Sequence, residues 1–447
     1  PLLAGAAMLL IDERRRELKA AINLAAIAAL VGLALALMEA ANGTADWAAS
    51  LVYRLGDWPA PFAIVLVADR LSATMLLLTA VLALATTIYA LPRWQNAGAH
   101  FHSMVQFLLM GLNGAFLTGD LFNLFVFFEL LLAASYGLML HGSGRARIRA
   151  GLHYVVVNLA ASLFFLVGVA LIYAVTGTLN MADLAARVPH VAAENRMLLE
   201  AGAAILGVAF LVKAGIWPLN FWLPTTYAAA APPVAAMFAI MSKVGLYVVM
   251  RLWLLVFGAE AGASAQFGAG VLFAAGLATI VFGSVGALAS RDLQRIAGFA
   301  VLVSSGTILA VVAIGGVPAI GAAVFYLVSS TLGLAILFML IELVERVRDP
   351  VADMLEITRE AYGEDDLEEP EEESEAGIVI PATVAFLGVC YIACVLVVAG
   401  LPPLSGFVAK FAMLAALMTT PGTTSAAMWA VLALVIASGL FTLMALM

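Results

Sequence analysis

Four side chains in this sequence could trade protons in apolar surroundings: Glu129, Lys213, Lys243 and Lys410. Of the 21 basic residues only four are lysines, Lys19 being the other, and the remaining 17 are arginines, nearly all in polar stretches. Arginine keeps its proton in proteins, whereas a desolvated lysine can give it up. A chain with arginine wherever fixed charge is useful, and lysine almost only within apolar runs, is suited to proton exchange. Glu129 lies eight residues into its apolar run, roughly 12 Å along a helix. Lys243 lies about ten residues into its own, roughly 15 Å. Each charge at that depth costs on the order of 3 kcal/mol, and four unpaired would cost roughly 10 kcal/mol. An ion pair between Glu129 and Lys213 is therefore expected, closed to hold a proton and opened to release one.

Weaker polar groups share these runs. Asn113 and Asn158 are read as helix-packing residues. Ser304, Ser305, Ser329, Ser330 and Thr331 are also packing types, but as a set they could line a polar path. His102, His141 and His153 stand at run ends, where an interfacial role is expected. Asp69-Arg70 reads as a structural pair. Cys390 and Cys394 sit four apart in an apolar run and read as small packing residues. They suggest neither a disulfide framework nor a metal site.

The elements that must position these groups are long and apolar. Hydrophobic residues make up 64% of the 447, charged residues 11%, and mean hydropathy is +1.08. A water-soluble domain carries roughly 25% charged residues, so a soluble fold is excluded. Barrel strands would alternate apolar and polar residues, and these runs do not. The expected fold is all-α and polytopic in a membrane, with about 13–14 transmembrane helices. The sequence starts at Pro1 and stops at Met447 within apolar stretches, which reads as trimming at both ends.

Two runs are interrupted. One reads Lys213-Ala-Gly-Ile-Trp-Pro218-Leu-Asn-Phe-Trp-Leu-Pro224 and the other Gly400-Leu-Pro402-Pro403-Leu-Ser-Gly-Phe-Val-Ala-Lys410. Proline breaks a helix. Broken backbone survives at membrane depth only against protein or a wet cavity. Lys213 precedes its break and Lys410 follows its own, which suits two inverted five-helix repeats with a midplane ion site. The units expected are 1–102 with the first helices, 103–255 as the first repeat, and 256–447 as the second, including an acidic cytoplasmic loop at 346–377.

Charge sets the orientation. Glu360 to Glu375 holds ten acids, and without them 21 bases face 19 acids. Thirteen basic residues fall in loops of one side (Arg14, Arg93, Arg145, Arg291 and Arg346 among them), against Arg54, Arg187 and Arg196 on the other. Basic loops stay cytoplasmic, so the N-terminus is expected outside and the acidic loop inside. Nucleic-acid binding lacks a basic patch.

The stretch Asn113-Gly-Ala-Phe-Leu-Thr-Gly-Asp120-Leu-Phe-Asn-Leu-Phe-Val-Phe-Phe-Glu129, together with the two broken segments, resembles the antiporter-like membrane subunits of respiratory complex I and of Mrp-type cation/proton antiporters. The resemblance runs from about Trp58 to Lys410. The segment Trp58-Pro-Ala-Pro-Phe-Ala-Ile-Val-Leu-Val-Ala-Asp69-Arg70 is most similar to the D-type branch of Mrp-type Na⁺/H⁺ antiporter subunits. The resemblance implies about 14 helices, two inverted repeats and a proton path along the membrane plane. It assigns the helix 5 acid to Glu129 and the lysines of helices 7, 8 and 12 to Lys213, Lys243 and Lys410. Positions that often hold His or Lys in complex I members are here Ser304, Tyr326, Ser330 and Leu334, so water must bridge Lys243 to Lys410.

The expected function is proton translocation in a multisubunit Na⁺/H⁺ antiporter of a bacterial cell membrane. Glu129 and Lys213 gate, Lys243 relays and Lys410 is terminal. The partners are other membrane subunits, H⁺, Na⁺ and lipid. No cofactor or metal site is expected, and the chain is not read as an enzyme. A proton-pumping complex I-like subunit, a stand-alone solute transporter and a non-conducting scaffold are the competing readings.

Overall fold

The computed structural model describes residues 1–42, 50–62, 64–362, 382–419 and 425–447, with no side chains described at 348–362. The acids from Glu364 to Glu375 lie outside the described residues. The helices, in chain order, are α1 (Leu2–Leu9), α2 (Arg16–Asn42), α3 (Arg70–Ala90), α4 (Phe101–Leu117), α5 (Leu121–Met139), α6 (Arg145–Thr176), α7 (Met181–Arg187) and α8 (Ala193–Ala214). They continue as α9 (Leu223–Ala229), α10 (Pro232–Leu255), α11 (Ala269–Ala289), α12 (Leu293–Ile314), α13 (Val317–Tyr362), α14 (Ala382–Ala399), α15 (Ser405–Thr419) and α16 (Ser425–Leu446). A short antiparallel hairpin, β1 (Leu51–Arg54) and β2 (Val65–Ala68), joins α2 to α3.

Among the described residues, eleven helices are long and apolar enough to cross a membrane, and α4 and α15 are shorter apolar helices. Helices apolar on every side are stable in lipid or in the middle of a bundle. The two cases separate cleanly here. α10 is wholly buried through its apolar stretch and α12 nearly so, whereas α2 and α14 lie at the rim. The inner pair carries Lys243 and Ser304.

Polar side chains start the helices. Asp69 caps α3 in a reciprocal box with Ser72, both bonds at 2.8 Å. Asp120 accepts the Asn123 amide at 2.9 Å, and Asn180 accepts those of Ala182 and Asp183 at 3.1 Å. These caps occupy amides that have no partner inside the helix.

The bundle has two distinct ends. At the hairpin end the Gly119 amide donates to Val65, the Leu121 amide to Leu179 and Arg251 to Asp69. At the arginine end Arg16 donates to Asn96 at 2.7 Å, and Arg147 donates to the Ala229 carbonyl at 2.9 Å while stacking on Trp94. There Glu342, 7% exposed, accepts from Tyr89, Arg93, Trp94 and Arg346. The loops grouped by charge thus share one end. Arg70 and Arg251, left out of that grouping, belong to the hairpin end.

The two breaks are built alike. Each reads Gly-x-x-Pro, Gly215-Ile-Trp-Pro218 and Gly400-Leu-Pro-Pro403. Each begins with a left-handed glycine (φ 68° and 81°) and contains a cis X-Pro bond. The Ile216 amide closes onto Leu211 and the Leu401 amide onto Leu396, both at 3.0 Å. Only glycine takes that conformation at little cost, and the amide–carbonyl closure ends the helix. α8 enters from the hairpin end. α14 runs antiparallel to α13 (Ser329 meets Ser405, Gly333 meets Cys394) and so enters from the arginine end. The same break therefore sits in opposite orientations across the membrane.

Three readings need correction. Residues 346–362 do not form a loop, because α13 runs unbroken for 46 residues to Tyr362. Asp69 does not pair with Arg70; a helix N-cap carboxylate points back over its own helix start, and here it meets Arg251 at 2.7 Å. His102 and His141 are each 4% exposed. His102 is held by Asn23 at 3.0 Å and Gln95 at 3.1 Å, and His141 by the Trp94 carbonyl at 2.7 Å, so both are packed inside rather than interfacial. His153 is exposed, eight residues into α6.

Candidate functional site

The charged groups fall along the middle of the bundle, on α5, α8, α10 and α15. Glu129 is half-buried in α5 and accepts a hydrogen bond from Ser162 of α6. Lys213, 2% exposed at the end of α8, donates to Asn158 Oδ1 of α6 at 3.2 Å. Its ammonium also lies 5.8 Å from the Tyr154 ring centre. Glu129 and Lys213 do not form the direct ion pair expected. Asn158 and Ser162 are four residues apart, on one face of α6, and that face supplies a neutral partner to each charge. A cavity of ≈ 10 Å³ beside them is lined by Asn158, Ser162, Lys213, Phe128 and Phe165.

Beyond Lys213 the bundle is aromatic. Tyr154 packs on Trp222 and Phe238 with ring centres 5.4 and 5.7 Å apart, and Tyr227 donates to the Phe238 carbonyl at 2.7 Å. Among the described residues no hydrogen bond links Lys213 to Lys243.

Lys243 is fully buried in α10 and donates to Ser304 and, at 3.1 Å, to Ser305 of α12. Ser304 opens onto a second cavity of ≈ 10 Å³, lined also by Tyr326, Ser329, Ser330, Lys410 and Thr442. A water needs roughly 10–15 Å³ measured this way and two to four polar partners. The cavity is close to the size of one water, and polar residues line it between Ser304 and Lys410. Ser329 also donates to Ser405 at the start of α15 at 3.0 Å.

Lys410, 7% exposed, donates to the carbonyl of Ala399, the last residue of α14, at 2.8 Å. The helix break leaves that carbonyl without a helical donor, and the lysine takes it. Gly400 and Gly439 make the room, since a Cβ at either would come within 3.0 or 3.3 Å of the Lys410 ammonium.

Ser304, Ser305, Ser329 and Ser330 thus reach the lysines or their cavity. Thr331 does not line that cavity; its hydroxyl bonds back to the Leu327 carbonyl within its own helix, as that of Ser330 also does. Pro218, Pro402 and Pro403 all fall within the breaks. Ser162, Ser405 and Thr442 were not foreseen. The spacing of Ser162 from Asn158 was the available signal for it; Thr442 had none. Among the described residues no three His, Cys, Asp or Glu side chains gather as metal ligands, and both cysteines are free.

A nearly all-helical membrane protein with two inverted breaks, each beside a buried lysine, defines a class. Residues 118–441 match the family model described as "NADH:quinone oxidoreductase/Mrp antiporter, TM". The chain belongs to this family. It is 58% identical to the D-type subunit of a probable K⁺/H⁺ antiporter of Rhizobium meliloti, over 100% of this chain and 84% of that one. It is 36% identical to the D-type subunit of a Na⁺/H⁺ antiporter of Alkalihalophilus pseudofirmus, over 89% of this chain and 74% of that one. Among solved structures, a chain of the Mrp complex from Dietzia sp. matches with TM-score 0.82 and 28% identity, covering 100% of this chain and 77% of that one. A chain of respiratory complex I from Thermus thermophilus shares the fold, with TM-score 0.75 and 22% identity, covering 100% of this chain and 86% of that one.

Proposed function

We propose that this chain is the proton-translocating D-type subunit of a multisubunit alkali cation/proton antiporter. Protons move through Glu129, Lys213, Lys243 and Lys410, with 103–255 and 256–447 as the two half-units and 1–102 as a flanking helical unit. The observation that carries the reading is that Lys213, Lys243 and Lys410 are buried at mid-bundle and each is met by a neutral oxygen (amide, hydroxyl or carbonyl). A buried ammonium with a carboxylate would be a fixed pair. One held by neutral acceptors can lose its proton without stranding an anion.

Glu129 is half-buried and bonded to Ser162. A carboxylate at that depth cannot face hydrocarbon, so a partner subunit covers it, and the axis continues into that subunit. The arginine end is cytoplasmic by the charge rule, in a bacterial cell membrane. The chain is a secondary-transport component driven by ion gradients rather than an enzyme. Potassium ranks before the sodium first expected, because the relative at 58% identity is named for K⁺ and the one at 36% for Na⁺. Ser304, Tyr326, Ser330 and Leu334 leave the second half without further titratable side chains of the His or Lys kind, which disfavours a complex I-like pump.

The test uses vesicles holding the assembled complex. Proton flux is driven by K⁺ and by Na⁺ gradients, for wild type and Lys410→Ala. The reading expects coupled flux, faster with K⁺, that Lys410→Ala abolishes in assembled complex. Coupled flux undiminished in that variant rejects it.

A further inference from the structure

A cavity of ≈ 770 Å³ opens at the hairpin end. Its described walls include Arg54, Asp69, Arg70, Gly119, Asn180 and Arg251. Arg251 leads inward from it. Lys243, Tyr247 and Arg251 are spaced i, i+4, i+8 on α10, so they lie on one face of that helix. From Arg251 to Lys243 is roughly 12 Å along the axis. A wet cavity would thus reach within about two helical turns of the central lysine.

Of the groups between cavity and lysine, the Tyr247 hydroxyl has used up its hydrogen-bonding capacity, and Arg251 is tied to both Tyr247 and Asp69. The Tyr247 hydroxyl gives its one proton to the Phe116 carbonyl at 2.6 Å. It receives Arg251 Nε at 3.0 Å and Nη2 at 2.8 Å, and a hydroxyl accepts at most two bonds. The guanidinium meanwhile reaches Asp69 through Nη1 at 2.7 Å and Nη2 at 3.1 Å. Asp69 is fixed in turn by the Ser72 amide. Burial alone would raise the Asp69 carboxyl, but the charge and hydrogen bonds of Arg251 outweigh it and hold the carboxyl below its ordinary range. A proton hop needs an acceptor with a free lone pair and a donor that can let go. Tyr247 offers no free lone pair, and Arg251 does not let go.

We propose that Asp69, Arg251 and Tyr247 form an insulating lock that separates an ion-access vestibule at the hairpin end from Lys243, barring hydronium and alkali cations from the proton axis. A fixed guanidinium at a narrow point is a known physical means of excluding protons and cations. The proposal rests on Lys243 being part of a proton path. The lock makes the hairpin end a closed gate in this conformation. It lets a transmembrane gradient persist beside a cavity whose inner wall, Arg251, stands about two helical turns from Lys243.

The experiment measures passive proton leak in vesicles holding the whole complex. A pH gradient is imposed with the membrane potential clamped and no exchangeable cation present. Wild type is compared with Arg251→Gln, Tyr247→Phe, and each combined with Lys243→Ala. The lock predicts a several-fold faster leak in both single variants, and a return to the wild-type leak when Lys243→Ala is added. Tyr247→Phe keeps the ring that packs on Phe116 at 5.0 Å, so it carries the test if Arg251→Gln does not assemble. A wild-type leak in assembled Tyr247→Phe overturns the lock, as does an excess leak that persists with Lys243→Ala. Lys243→Ala alone reports separately on the path: if coupled flux survives in it, the path reading falls, whatever the leak shows.

Discussion

At the residue scale the chemistry turns on neutral partners. The charge of Glu129 rests on Ser162 and that of Lys213 on Asn158, both from one face of α6. If α6 relays between them, the effects of the two α6 side chains depend on the charges they serve. Ser162→Ala should slow cation-driven proton flux in the native background and have no further effect in Glu129→Ala. A double-mutant cycle reads this directly, since coupled sites fail to add; additive losses would make Ser162 a packing residue. The lysines and the acid were legible in the sequence because their residue types are costly in apolar runs. Their partners were not, because a serine or asparagine in a membrane helix looks the same whether it packs or relays. Arg251 was passed over for another reason. Its partner Asp69 lies 182 residues away, and no local spacing reveals a pair made by the fold.

At the element scale the two breaks decide where charge can sit. Gly406 admits the start of α15 against the end of α14: a Cβ there would stand 1.9 Å from the Val397 carbonyl. Gly406→Ala should cost about 1–3 kcal/mol through overpacking, read as a lower unfolding temperature of the purified complex together with lost flux. An unchanged melting temperature would show that the junction can relax. The breaks were visible in sequence from their prolines and glycines. Their common closure, a left-handed glycine with matching amide–carbonyl bonds, needed backbone geometry. The extension of α13 was hidden because a charged stretch reads as a loop, although a polar helix leaving a bundle has the same composition.

The arginine end offers a pH test at the same scale. His141 is buried between the α5 end and Trp94. Burial, aided by the Arg147 charge, keeps its imidazole below the ordinary value, and the Trp94 carbonyl only partly opposes this. The folded state therefore prefers neutral His141. That stabilisation is complete above the unfolded value of about 6.5 and is lost as pH falls below it, because the unfolded chain then binds the proton more readily. His141→Gln keeps a donor for Trp94 and cannot titrate. The variant should lose less thermal stability than wild type between neutral and acidic pH, measured by unfolding of the purified complex. Equal losses would assign the acid sensitivity elsewhere.

At the scale of the whole molecule the bundle is a row of polar stations crossed by dry sections. Water-sized cavities flank Lys213 and Lys410, an aromatic wall lies between Lys213 and Lys243, and the hairpin-end vestibule stops at Arg251. On the proposed path, a single conformation of this kind would hold protons at stations without letting them run through, as coupling to a second ion requires. The central claim is that the charged axis is the proton path. Its most direct test is cation-driven proton flux in vesicles holding the native complex, for wild type, Glu129→Ala and Lys213→Ala, with assembly measured on the same preparations. The account predicts that flux collapses in both variants while the complex stays assembled. Wild-type flux in either assembled variant would contradict it and move the proton path to another subunit.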